Sequence, residues 1–526
     1  MPTLPLQPAE FHVFDTSLRD GAQQEGLHLS VTDKLRIAGY LDELGVTFIE
    51  GGWPGANPAD TEFFQLAKGI GLQRSKLVAF GATRKAGGKA SEDALTRALV
   101  EADTEYIAIV AKSHADHVER ALRTTLEENL AMISDTVTFL RSQGRRVFVD
   151  AEHFFDGYRA NPDYAIQVVR TAHEAGAEVV VLCDTNGGML PSWIGGIVAA
   201  AAATGAQLGV HAHNDTACAV ANTLAAVEAG VMHVQGTFNG YGERTGNADL
   251  SALIPNLQLK YGWDILPPGQ LADLTRVAHA IALVAHQPLL GRQPYVGQSS
   301  FAHKAGLHAS AIKVDENLYQ HIDPALVGND MRMLISDMAG RANIQIKGEQ
   351  LGFDLNDREL AARVTEVVKG REAEGYSYES ADASFEMLLR DQLGILDLPF
   401  LVESWRVFTE ERVGDNISEA TVKLTAKDAR QMVVGEGNGP VNALDAALRA
   451  ALIPAFPAVA EFELTDYKVR ILDDGHGTDA TVRTLIDTSF GGETWTTVGV
   501  GTNVIEASWE ALSDALAYGI MTHLDD

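Results

Sequence analysis

Short runs rich in Val, Ile and Phe punctuate the first half of the chain, at residues 11–14, 48–49, 77–80, 106–110, 147–149, 179–183, 208–210 and 231–238. Some, such as Val179-Val180-Val181-Leu182, are apolar at every position, the mark of strands buried on both faces of a parallel sheet. Between them lie longer segments with helical spacing of apolar residues, among them 34–44, 119–140 and 217–229. Eight such alternations in about 250 residues predict a (β/α)8 barrel. An open doubly wound sheet is the competing architecture, but no glycine-rich dinucleotide fingerprint follows the first run.

Beyond Pro267-Pro268-Gly269 the pattern changes. Helical segments broken by loops containing His and Gly run to about residue 395, and a third region begins near Pro399. That region carries an internal echo. Val434-Gly435-Glu436-Gly437 before an apolar helix at 441–452 parallels Val498-Gly499-Val500-Gly501 before one at 504–516, and alternating strands at 420–424 and 480–486 precede the two copies. The expected architecture is therefore α/β, with a barrel over 1–265, a mostly helical linker subdomain over 266–395 and a pseudo-symmetric α+β domain over 396–526.

Polar clusters sit where the apolar runs end: Asp15-Thr16-Ser17-Leu18-Arg19-Asp20-Gly21, Asp150-Ala151-Glu152-His153, Asp184-Thr185-Asn186-Gly187, His211-Ala212-His213-Asn214-Asp215 and Gly242-Glu243-Arg244-Thr245-Gly246-Asn247. A parallel barrel builds its active site from the carboxyl ends of its strands, so this is the sequence of an enzyme's rim. His211 and His213, two apart at a strand end, project to one face and can share a divalent ion. Alone, a His-x-His pair is more often an ordinary surface or core feature. Asp20 and Asn247 would add oxygen ligands, and mixed oxygen and imidazole ligation suits Zn, Mn, Co or Mg. Arg19, beside Asp20, can hold a developing enolate or alkoxide oxygen or can form a structural ion pair. Glu152 is placed to serve as a general base or to orient one. Thr185 offers a hydroxyl to a substrate carboxylate, although Asp-Thr-Asn-Gly is equally a turn and helix entry.

Composition narrows the field without identifying the chemistry. The 526 residues, 46% hydrophobic and 21% charged, are those of a globular protein of two or three domains. A net charge of −30 argues against nucleic acid or anionic membrane as partners, since both demand concentrated Lys and Arg. Two cysteines, Cys183 and Cys218, are too few for a disulfide framework or a thiolate zinc site. Residues 1–10 hold three prolines and neither a basic n-region nor an apolar h-region, so a cytoplasmic location is expected.

The first, fourth and fifth of these clusters together resemble the DRE-TIM metallolyase superfamily, and within it the branch of 2-isopropylmalate, homocitrate and citramalate synthases. The resemblance extends to the linker, with Phe301-Ala302-His303-Lys304-Ala305-Gly306-Leu307-His308, and to the C-terminal part, which is similar to the family's dimeric, amino-acid-sensing regulatory domain. Glu50-Gly51-Gly52-Trp53-Pro54-Gly55 and Tyr378-Glu379-Ser380-Ala381-Asp382-Ala383-Ser384-Phe385 look most like the citramalate synthases. By this resemblance Asp20, His211, His213 and Asn247 match metal ligands, Arg19 the oxyanion-stabilising arginine, and Thr185 the residue that binds the keto-acid carboxylate. Glu152 and His308 match the proton-abstracting pair, the histidine arriving from the partner subunit of a homodimer. Asn317 and Tyr319 match a segment near acetyl-CoA. One position departs: Asp150 stands where a citramalate synthase type carries an aromatic side chain. The implied reaction is a condensation of acetyl-CoA with a 2-oxo acid, pyruvate first and 2-oxoisovalerate second, with isoleucine as effector. A lyase or aldolase on the same barrel would lack the regulatory module, and a catalytically silent sensor would have no need of the intact residue set.

Overall fold

The computed structural model describes residues 6–335, 340–412, 415–472 and 480–524. Its contacts divide the chain into two compact units, one of Met1–Phe301 with Asp323–Asp330 and one of Ala302–Ile322 with Met331–Asp526. The helical stretch after the barrel is thus shared out, its first helix, Leu274–Val284, packing on Val31–Leu44 within the first unit.

Eight parallel strands close the first unit into a barrel: β1 (His12–Asp15), β2 (Phe48–Gly52), β3 (Lys76–Ala82), β4 (Tyr106–Lys112), β5 (Arg146–Glu152), β6 (Val179–Asp184), β7 (Leu208–Ala212) and β8 (His233–Gly236), with β1 pairing to β8. Every residue of β6 is buried, as its uninterrupted apolar sequence predicts. Inside, Phe14, Phe48, Tyr106, Phe148 and the wholly buried His233 fill the lumen, Tyr106 stacking on Phe148 at 5.4 Å between ring centroids. The lumen is therefore packed, and side chains at the strand ends are held on a rigid base.

The helices outside follow local sequence logic. Val31–Leu44 starts at a capping box of Ser30 and Asp33, stops at Gly45 in the left-handed region, and buries Ile37, Leu41 and Leu44. Each such side chain contributes about 1.5–3 kcal/mol on burial. The single helix expected over 119–140 is instead broken. Arg123 turns left-handed, Thr125 Oγ1 accepts from Glu128 N, and a fresh helix runs over Leu126–Ser142. Apolar spacing continues across the break, but left-handed Arg123 ends one helix and the threonine cap begins the next. Likewise the helix expected from 217 begins at Ala219, because Ala217 has φ 58°.

In the second unit a short parallel pair, β9 (Ala302–His303) with β10 (Arg332–Met333), accompanies helices Gly306–Ile312, Arg341–Gln350, Arg358–Ala373 and Asp382–Gln392. The echo read in the sequence is two antiparallel three-stranded sheets, each followed by a helix. The first is β11 (Phe400–Arg412), β12 (Asp415–Ala426) and β13 (Ala429–Gly437) with Pro440–Leu452; the second is β14 (Glu463–Ile471), β15 (Val482–Phe490) and β16 (Glu493–Gly501) with Val504–His523. The repeated glycines explain the echo. A β-carbon on Gly435 would lie 2.4 Å from Ala447 N, and one on Gly499 would lie 2.1 Å from Ala507 O, so each lets its helix lie directly on its sheet. Among the described residues no helix is long and apolar enough to cross a membrane.

Candidate active site

The turn after β1 is pinned before its side chains meet anything else. Ser17 N and Oγ donate to the two Asp15 carboxylate oxygens, both at 2.9 Å; Thr16 Oγ1 donates to Gly236 O at 3.2 Å and Phe238 N to Ser17 Oγ at 2.8 Å. Burial pushes Asp15 up to about 7, against these hydrogen bonds. The turn is thereby tied to the end of β8, and Arg19 and Asp20 face the barrel mouth.

There Asp20 meets the β7 histidines. His211 Nε2 lies 3.1 Å and His213 Nε2 3.8 Å from Asp20 Oδ2, and all three residues are buried. Asn247, bridged to His213 in antiparallel fashion, sends Oδ1 to 2.8 Å from His211 Nε2 while its Nδ2 donates to Tyr241 O at 2.9 Å. His211 Nδ1 lies 2.7 Å from Gln235 Oε1. That oxygen only accepts, so Nδ1 carries a proton and Nε2 of the neutral ring is a lone pair facing two further acceptors, Asp20 Oδ2 and Asn247 Oδ1. Converging acceptors are stable around a cation. Donors about 2.1 Å from a divalent ion stand about 3.0–3.4 Å from one another, close to the spacing seen here. Asp20, His211 and His213 are a candidate divalent-metal site, and Asn247 adjoins it.

The electrostatics agree. Burial favours neutral Asp20, but Arg19 and the two histidines outweigh it and hold the carboxyl well below its usual range. Burial likewise lowers His211, yet its bond to Asp20 and that charge push it up to about 9, a proton meeting the need a cation would meet. His213, buried and beside His211, is lowered to about 4.

Around this centre is a cavity of about 260 Å³ lined by Arg19, Asp20, Trp53, Phe80, Val110, Asp150, Glu152, Cys183, Thr185, His211, His213 and Arg244, among others. Arg19 Nε donates to Glu50 Oε2 at 2.6 Å, and its guanidinium lies 3.9 Å from the Phe80 ring centroid. Burial, with Asp150 adding and Arg19 opposing, pushes Glu50 up to about 7. Glu152, at the end of β5, pairs with Lys112. Thr185 Oγ1 accepts from His153 N at 2.9 Å, so its own O–H remains available to the cavity. Arg244 grips Asp215 with Nε and Nη2 at 2.9 and 3.0 Å and donates to Thr185 O at 2.8 Å. Trp53 and Phe80, edge to face at 5.5 Å, form with Val110 an apolar wall.

The structure therefore brings Arg19, Asp20, Glu152, Thr185, His211 and His213 to one cavity, with Asn247 directly against it. His308, Asn317 and Tyr319 belong to the second unit. His308, on Gly306–Ile312, stacks on Tyr319 with centroids 4.1 Å apart, and exposed Asn317 donates to Asp315 Oδ1 at 2.9 Å. Sequence reasoning gave no role to Glu50, Gln235 or Arg244. Glu50 had a signal, a charged residue in the middle of an otherwise apolar strand, whereas Gln235 shares its short strand with His233 and does not stand out.

A closed (β/α)8 barrel with a candidate metal centre at its carboxyl rim defines the class, and residues 10–281 match the HMGL-like model, so the chain belongs to the HMGL-like family. Residues 295–374 match the homocitrate synthase post-HMGL domain-like model and 379–520 the LeuA allosteric (dimerisation) domain. Within the family the chain groups with the (R)-citramalate synthases. It is 63% identical to that of Streptomyces coelicolor, covering 97% of each chain, and 48% identical to that of Synechocystis sp., covering 97% of this chain and 96% of the other. A 2-isopropylmalate synthase of Lysinibacillus sphaericus is 27% identical, with 96% of each covered.

Proposed function

We propose that this protein is a citramalate synthase, condensing acetyl-CoA with pyruvate to give citramalate and free CoA in the supply of isoleucine. The observation that carries this reading is the 63% identity to a citramalate synthase over nearly the full length of both chains, against 27% to the isopropylmalate enzyme. Asp20, His211, His213 and Asn247 would hold the divalent ion, drawn from Zn, Mn, Co or Mg. When bound, it supplies a Lewis acid that makes the keto carbon electrophilic.

The chain's own groups account for the rest. Thr185, its hydroxyl oxygen already accepting from His153 N, donates its proton to the pyruvate carboxylate. Glu152, oriented by Lys112, together with His308 of the partner subunit takes a proton from the acetyl methyl. The resulting carbanion attacks the keto carbon, and Arg19 stabilises the new alkoxide while Glu50 and Phe80 keep its guanidinium in place. The abstracted proton is returned to this alkoxide, and water then cleaves the thioester to a carboxylate and free CoA. Trp53, Phe80 and Val110 face the cavity with bulky apolar groups, which suits a methyl better than an isopropyl group. Asn317 and Tyr319 belong to the acetyl-CoA segment.

A cytoplasmic homodimer with isoleucine as effector at the C-terminal domain completes the reading, with the barrel, linker and regulatory parts bounded at 1–265, 266–395 and 396–526. The exposed Leu401, Phe408, Met432 and Val434 of the first C-terminal sheet support dimerisation. Thiol release from acetyl-CoA, measured with a divalent metal and with pyruvate, 2-oxoisovalerate or 2-oxoglutarate as acceptor, tests the assignment. Pyruvate preference is expected; preference for 2-oxoisovalerate would move the enzyme to leucine supply, and no release with any acceptor would overturn the proposal.

A further inference from the structure

Gln235 is fully buried and makes contacts at both ends of its amide. Oε1 accepts from His211 Nδ1 at 2.7 Å. Nε2 donates to Asp150 Oδ1 at 3.1 Å and lies 3.4 Å from His233 Nε2. The ends of an amide are told apart by their partners, and here two acceptors, a carboxyl oxygen and an imidazole nitrogen, claim the two hydrogens of Nε2. Oε1 is left to His211. A reversed amide would point N–H at His211 Nδ1, move the ring proton to Nε2 and aim it at Asp20 and Asn247, where it would exclude a cation.

We propose that Gln235 and Asp150 are positioning residues for the metal centre: Asp150 fixes the Gln235 amide, and the amide fixes the His211 tautomer that leaves Nε2 free to bind an ion. This rests on the metal-site reading above. Partners of this kind, one bond removed from a metal-ligating histidine, set ring orientation and basicity and are worth about 10- to 100-fold in metal affinity. The relay also gives Asp150 a task independent of the substrate methyl. In this chain the histidine's partner is a neutral amide, and the carboxyl group stands one residue further back.

Co2+ alone, titrated into the metal-stripped full chain and read by its visible spectrum, tests the relay. Gln235→Met preserves volume and removes both bonds, so Co2+ binding is expected to weaken by about 10- to 100-fold. It also leaves the Asp150 carboxyl buried without its donor, so two further variants guard against simple misfolding. Asp150→Asn should weaken binding less, by a few-fold, and 15N-histidine spectra of that metal-stripped variant, taken above about pH 9 where the ring has given up its second proton, should lose the single His211 tautomer. Asp150→Asn combined with Gln235→Glu exchanges acid and amide. The new amide at 150 donates to the new carboxylate at 235, whose other oxygen still accepts from His211, so affinity should return to within about threefold of wild type. Wild-type affinity in Gln235→Met, or an exchanged variant no better than Gln235→Met, would overturn the relay alone. Failure of the wild-type chain to bind Co2+ would overturn the metal-site reading and the relay with it.

Discussion

Arg19 does not approach the cavity as a free cation: Glu50 holds its Nε at 2.6 Å from within β2, and Phe80 on β3 lies under its guanidinium. Three neighbouring strands therefore set one side chain, leaving Nη1, 3.6 Å from Asp20 Oδ2, on the side of the candidate metal site. Lysine has the same charge but neither the fork for Glu50 nor the plane for Phe80. Arg19→Lys is expected to lower kcat about 10²–10³-fold, the scale for losing an oxyanion donor. Steady-state thiol release checks this, and a loss confined to KM would contradict the assigned role.

Thr185 is used on both sides of its oxygen. Thr185→Ser keeps the bond from His153 N and the donor to substrate, so KM for pyruvate should change little. Thr185→Val removes both and is expected to raise that KM about tenfold, the cost of about one hydrogen bond to a charged group. If both variants behave as wild type, the hydroxyl does not meet the substrate.

Metal removal should expose a pH dependence of known sign. His211, raised to about 9 when folded, stabilises the metal-free chain fully below its unfolded value of about 6.5, and that contribution is lost as pH rises through about 9. His213, lowered to about 4, works oppositely: its contribution is intact above about 6.5 and lost as pH falls through about 4. The melting temperature of chelator-treated protein should therefore fall on both sides of about pH 6.5 as far as this pair governs it. Asp20→Asn should flatten the alkaline side. An equally steep alkaline fall in that variant would refute the assignment.

The loop that presents Asn247 depends on a glycine. Gly246 has φ 85°, and a β-carbon there would lie 1.9 Å from Gly240 O. Gly246→Ala meets both strain and collision, so it should cost more than about 1 kcal/mol of stability and weaken divalent-ion binding together. Denaturant unfolding alongside ion titration measures the two effects, and an unchanged unfolding midpoint would be the contrary result.

Much of this was legible in residue order. Strands such as β6 announce themselves because burial on both faces leaves no place for polar residues, and the rim stands out because polarity returns abruptly at Asp184, His211 and Glu152. Less legible was whatever depends on one local torsion. The break at Arg123 and the late helix start after Ala217 arise at single left-handed residues inside apolar periodicity that continues past them. Supporting residues were also hidden, because Glu50 and Gln235 acquire meaning only when barrel closure brings Arg19, Asp150 and His211 beside them.

The candidate ligands come from opposite ends of the barrel's chain order: Asp20 follows the first strand, His211 and His213 lie at the seventh, and Asn247 follows the eighth, which pairs with the first. An ion at this position would sit across the seam where the cylinder closes and act as its clasp. A growing polypeptide on the ribosome would expose Asp20 early and hold no complete site until Asn247 had emerged, so full metal loading would report a finished barrel.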